Sequence, residues 1–170
     1  MPTDFDKEAT SKVFSKSRRM IAFHFYDGPV SGVMHDFGTN RAWRFTMIDW
    51  DDSQEVRVFA MAPLPEDAFN KIVDVLSQYE PPKSPFWLPL FNYSDNEIKH
   101  VVERKTDEAI ATAAEVSHII VTSRWGDTIL AERSVEKDDL PSIQACDSTT
   151  GFDSTGGWLE LFGFERSPKE

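Results

Sequence analysis

A single cysteine, Cys146, stands in a chain of 170 residues, so no disulfide can form within it. That usage agrees with a reducing compartment. Long apolar runs are missing as well: no stretch approaches the roughly 20 residues needed to cross a bilayer. The opening "MPTDFDKEATSKVFSKSRRMIAFHF" lacks the apolar core and small-residue cleavage site of a secretory signal, since its first apolar run begins only after Arg19. The chain is therefore expected to be cytoplasmic, and the "NYS" at 92–94 then has no consequence as a glycosylation acceptor.

Positive charge is also scarce. The chain has 18 bases against 29 acids, a formal net charge of −11. Residues 1–62 hold 8 bases and 9 acids, whereas residues 63–170 hold 10 bases and 20 acids. Such a surface repels phosphate, because nucleic-acid affinity comes largely from Lys and Arg displacing counterions. Neither nucleic acid nor an anionic membrane is an expected partner. The sequence contains no P-loop, no G-x-G-x-x-G and no G-x-S-x-G, so phosphate cradling, dinucleotide binding and the serine-hydrolase elbow have no support.

What is present suits one ordinary folded domain. Apolar residues make up 40% and charged residues 28%, which is a globular balance. Residues 1–17 are mixed in charge and read as an N-terminal arm. Residues 18–135 read as a single α+β domain, and 136–170 as an acidic, partly flexible segment with an apolar stretch near 157–164 that docks.

From Arg19 to Met61 four runs rich in aromatic and β-branched residues, "MIAFHFY", "SGVMHDF", "RAWRFTMIDW" and "EVRVFAM", are separated by the turn signals "DGP", "GTN" and "DDSQ". They predict an antiparallel meander of about four strands. Alternation puts Ile21, Phe23 and Phe25 on one face with Ala22, His24 and Tyr26 on the other; Trp43, Phe45 and Met47 likewise oppose Arg44 and Thr46. The second face is mixed rather than polar, which implies partial cover.

"LPEDAFNKIVDVLSQYEPP" predicts an amphipathic helix: Pro65 suits the first turn, Glu66 and Asp67 complement the positive N-terminus, and Ala68, Phe69, Ile72, Val73, Leu76 and Tyr79 recur at helical spacing before Pro81. Residues 81–93, "PPKSPFWLPLFNY", contain four prolines and fit neither a regular helix nor a central strand. A second helix follows, opened by a capping box of Ser94 and Glu97, with a break near Thr106. "SHIIVTS" and "TILAERSV" flank "RWGD" as a further hairpin over 117–135. "GGWLELFGF" is too apolar for a free tail and is expected to dock as a strand or on a partner. The expected architecture is α+β, one mixed or antiparallel sheet covered by helices.

Candidates for chemistry are few. In "FHFYDGPVSGVMHDFG", pairing of 20–26 with 32–37 lets His24 and His35 share a side with Asp27 or Asp36 nearby, ligand types suited to zinc or non-haem iron. The spacing matches no metal motif, and hairpin structure accounts for the residues, with Gly28 and Pro29 making the turn. No metal or cofactor is assigned. In "DWDDSQE", Asp49 and Asp51 start like a calcium loop, but position six is Gln54 and position twelve Ala60, which excludes an EF-hand. "QACDS" shares three letters with the caspase nucleophile signature and departs in the next two, leaving Cys146 a bystander thiol. Pro82 and Pro85 form a P-x-x-P of the kind any Pro-rich loop contains.

Two expectations of function follow. The first is a small acidic protein acting by protein–protein interaction, with a basic partner favoured by charge. Neutralisation of that partner, as toxin-neutralising immunity proteins perform it, is one form of this. Phe86, Trp87, Phe91, Tyr93, Trp158 and Phe162 are its candidate partner-binding residues. The alternative is an enzyme of unrecognised type using His24, His35, Asp27 and Asp36, with a divalent metal in one version. A third, weaker expectation is self-association through "GGWLELFGF" added as a strand to an exposed edge.

Overall fold

The computed structural model describes residues 18–79, 86–87, 96–126, 128–139 and 158–164. The elements are β1 (Arg18–Phe25), β2 (Pro29–Asp36), β3 (Arg41–Asp51), β4 (Val56–Leu64), α1 (Glu66–Ser77), β5 (Phe86–Trp87), α2 (Asn96–Ile110), β6 (His118–Ser123), β7 (Ile129–Ser134), a 3-10 turn (Lys137–Asp139) and α3 (Trp158–Leu161). One sheet runs in the order β5-β1-β2-β3-β4-β6-β7. Every pairing is antiparallel except that of β5 with β1. The expected meander is β1 to β4, and the later hairpin extends the same sheet from β4, giving six antiparallel strands rather than about four. The seventh, two residues long, comes from the Pro-rich segment and pairs only at the edge, the sheet position where flanking prolines cost no ladder bonds.

Alternation along β4 sorts the core. Val58, Ala60 and Leu64 face the helical side. There Ile21, Val33, Ala42 and Leu64 pack against Ala68, Phe69, Ile72 and Leu76 of α1 and Val102 and Ala109 of α2. Further along the same face Val58, Ala60, Ile119, Val121 and Ala131 receive Trp158, Leu159 and Phe162. The intervening residues Phe59 and Met61 join Met20, Ala22, Met34, Trp43, Phe45 and Ile120 in a second buried cluster on the opposite face. Both faces of the sheet therefore carry core, where the sequence pattern implied a second face only partly covered.

The second face is concave. Strand β1 and the β6–β7 turn, kept apart in the sheet by β2, β3 and β4, still meet across it: Arg18 Nη2 donates to the carbonyl of Gly126 at 3.3 Å. A Cβ on Gly126, whose φ is +76°, would stand 2.7 Å from Met20 Cε, so glycine is needed there both for backbone geometry and for space. The curl stays open, with β5 and β7 at its edges.

Three local expectations need correction. Strict alternation in β1 fails because the register shifts between Ala22 and His24 and again between His24 and Phe25. A bulge inserts a residue and turns the rest of the strand over. Phe25 therefore meets Trp125 and Phe86 instead of joining Ile21. The second helix does not break at Thr106, whose hydroxyl donates to Val102 O at 2.9 Å and Glu103 O at 3.0 Å and so lies satisfied within the helix. Ser94, its expected cap, lies outside the described residues, as do residues 1–17 and Cys146. Finally, "WLEL" is a single helical turn on its own sheet rather than an added strand. Leu159 N donates to the buried carboxylate of Asp49 at 3.0 Å, which binds this turn to β3.

Candidate functional site

The first hairpin holds its two histidines apart. His24 lies opposite Ser31, with Nδ1 2.6 Å from the Ser31 hydroxyl, whereas His35 lies opposite Arg19. Ser31 and His35 are four residues apart on β2, about 13 Å at the rise of a strand. The bulge does bring His24 to the face of Ser31 and His35, but at the other end of the hairpin. His35 is 8% exposed, stacked on Phe69 at 5.3 Å and edge-on to Phe37 at 4.8 Å, with Nε2 3.2 Å from Asn40 Oδ1. Asp36 is fully buried, and its Oδ1 accepts from the backbone N–H of Gly38 and Thr39, so it builds the β2–β3 turn. Asp27 sits in the β1–β2 turn at φ +50°. The four residues thus divide into His24 with Asp27 and His35 with Asp36, one pair at each end. Among the described residues, no group of three or more His, Cys, Asp or Glu is placed to hold a metal ion.

The aromatic candidates are also divided. Trp158 and Phe162, expected as partner contacts, are 2% and 0% exposed and pack into their own sheet, with the Arg133 guanidinium 5.7 Å from the Phe162 ring. They are inside the fold and present no outer surface. Phe86 packs partly buried against the concave cluster. The backbone of Trp87 pairs with Ile21. Phe91 and Tyr93 lie outside the described residues.

A different group of side chains gathers where three turns meet at one end of the sheet: residues 26–28, 52–55 and 124–126. Arg57, 2% exposed, organises them from β4. Its Nη1 donates to Pro29 O at 2.8 Å, and its Nη2 to Tyr26 O at 2.6 Å and Asp27 O at 3.1 Å. Burial lowers the pKa of this guanidinium below the usual arginine range; Arg124 adds to the shift, while Asp52 and Asp27 oppose it. Arg124 Nη2 donates to Asp52 O at 2.9 Å and stands 3.9 Å from the Asp52 carboxylate, and its Nη1 stands 4.0 Å from Glu55. Both arginines are thus engaged largely by backbone carbonyls.

The outer surface of this end is aromatic and acidic. Phe25, Tyr26 and Trp125 are 36%, 64% and 55% exposed, and the Phe25 and Trp125 rings lie 5.6 Å apart. Asp27, Asp52 and Glu55 are exposed beside them. Sequence spacing gave no sign of this site, because its residues come from turns up to about a hundred positions apart. The available signal was an aromatic residue within each of two turns, Tyr26 before "DGP" and Trp125 in "RWGD". No family model, curated protein or solved structure matches the chain. No helix among the described residues is long and apolar enough to cross a membrane.

Proposed function

We propose that the chain acts by binding another protein, and that its partner is basic. The observation that carries this reading is the asymmetry at the turn end. The cations there, Arg18, Arg57 and Arg124, are each engaged by backbone carbonyl oxygens, while Asp27, Asp52 and Glu55 are exposed. With a net charge of −11, the whole surface adds a long-range field that favours encounter with a positive partner. Occlusion of a basic protein by such a surface, as immunity proteins occlude toxins, fits this description.

The test is binding under a salt ramp. The protein is immobilised, retained basic proteins are identified, and each complex is rebuilt from purified components. Affinity is expected to fall steeply between about 50 and 500 mM salt, because the Debye length shrinks over that range. Binding indifferent to salt, or a consistent preference for acidic or neutral partners, overturns the reading.

A further inference from the structure

We infer that the turn end is the docking surface itself and that its occupant is an arginine-bearing segment of a basic protein; this rests on the reading above and narrows it to one place and one side-chain chemistry. Six large apolar side chains are exposed among the described residues: Phe25, Tyr26, Phe37, Tyr79, Trp125 and Leu161. Three of them, Phe25, Tyr26 and Trp125, stand at this one end. Aromatic side chains with few rotatable bonds are the usual anchors of protein interfaces. Here Tyr26 projects from the β1–β2 turn, which Arg57 fixes through three carbonyls, and Trp125 from the β6–β7 turn, with its ring 5.6 Å from that of Phe25.

The carboxylates beside them retain acceptor capacity. Asp52 and Glu55 lie 3.9 and 4.0 Å from Arg124 nitrogens, beyond hydrogen-bonding distance, and their side chains are 60% and 72% exposed. An incoming donor can therefore bind these oxygens without displacing an internal hydrogen bond. A guanidinium satisfies both halves of the surface at once. Its planar face stacks on Trp125 or Tyr26, and its edge gives paired N–H donors to a carboxylate. A lysine ammonium offers charge without the plane or the fork.

The test is an NMR titration of the full chain at low salt with two short synthetic peptides, one arginine-rich and one its lysine-for-arginine counterpart. Amide shifts are expected to concentrate at residues 25–28, 52–55 and 124–126. Trp125→Ala is expected to weaken the arginine peptide about three- to five-fold, the scale of an exposed cation–π contact, and to erase its advantage over the lysine peptide. Tyr26→Ala, on a separate turn, repeats the test if the first variant disturbs its own hairpin. The double variant Asp52→Asn with Glu55→Gln weakens both peptides, whereas Glu66→Gln with Asp67→Asn, at the other end of β4, leaves both unchanged. If both peptides bind but the shifts spread over the helices and Trp125→Ala has no effect, the docking surface is wrong while the acidic-binder reading survives. If neither peptide binds at low salt, both fall.

Discussion

Arg57 and His118 show how basic side chains drawn out of water are accommodated in this sheet. Arg57 exchanges hydration for three carbonyl acceptors on the β1–β2 turn, and hydrogen bonds to charged groups contribute about 1.5–3 kcal/mol net each. Arg57→Met keeps the stem but removes every donor. It is expected to cost about 2–4 kcal/mol, read as a lower urea midpoint, with Arg57→Lys recovering only part because one ammonium nitrogen cannot occupy the positions of both Nη1 and Nη2. An unchanged midpoint for the Met variant would show that the turn holds without its clasp. His118, half-buried at the start of β6, packs edge-on to Trp43 at 5.4 Å, with Nδ1 2.8 Å from the Ser117 hydroxyl. Desolvation, with Arg41 adding to it, lowers its pKa below the ordinary 6.5. The unfolded chain therefore binds this proton more readily than the folded one, so the folded state loses stability as pH falls below 6.5 and regains it above. His118→Gln is expected to flatten the slope of urea midpoint against pH between about 5 and 7; a parallel slope in variant and parent removes His118 as its source.

At the scale of elements, two attachments depend on groups that local pattern does not reveal. The β1–β2 pair is tightest at Gly32, where a Cβ would fall on the carbonyl oxygen of Ile21, next to the bulge that shifts the register. Gly32→Ala must push backbone rather than a yielding side chain, and is expected to cost at least about 2 kcal/mol, seen as a fall in thermal midpoint. The α3 turn, only four residues long, has too little helix to stand alone and depends on burial of Trp158 and Leu159 plus the acceptor Asp49. Asp49 also accepts from its neighbour Trp50 N at 2.8 Å. Asp49→Ala leaves buried N–H groups without this acceptor and should detach the turn before the sheet unfolds. Hydrogen exchange is expected to accelerate at residues 159–164 while β3 and β4 stay protected; uniform protection would place the attachment wholly in the apolar contacts.

For the molecule as a whole, the legible features were those set by neighbours in sequence. Turn residues and alternation reveal β1 to β4, and acidic and apolar spacing reveals α1, because each depends on residues within a few positions. The bulge at Phe23 and the fold-back of Trp158 onto β3 depend on partners that sequence spacing does not name. Asp49 and Leu159 are separated by 110 positions, and the turn end assembles from three hairpins for the same reason. Net charge was legible throughout, and it makes a prediction with two opposite signs. A chain at −11 repels itself when folded, so screening by sodium chloride should raise the stability of the free protein. The same screening removes the attraction that holds a basic partner. Raising sodium chloride from about 50 to 500 mM is thus expected to increase the urea midpoint of the free chain while weakening its complex with an arginine-rich ligand. Chloride rather than sulfate is the appropriate salt, since sulfate strengthens apolar burial by exclusion and would mask the electrostatic part. If salt strengthened both fold and complex, apolar contact through Phe25, Tyr26 and Trp125 would be the main attraction and the carboxylates would be only its rim.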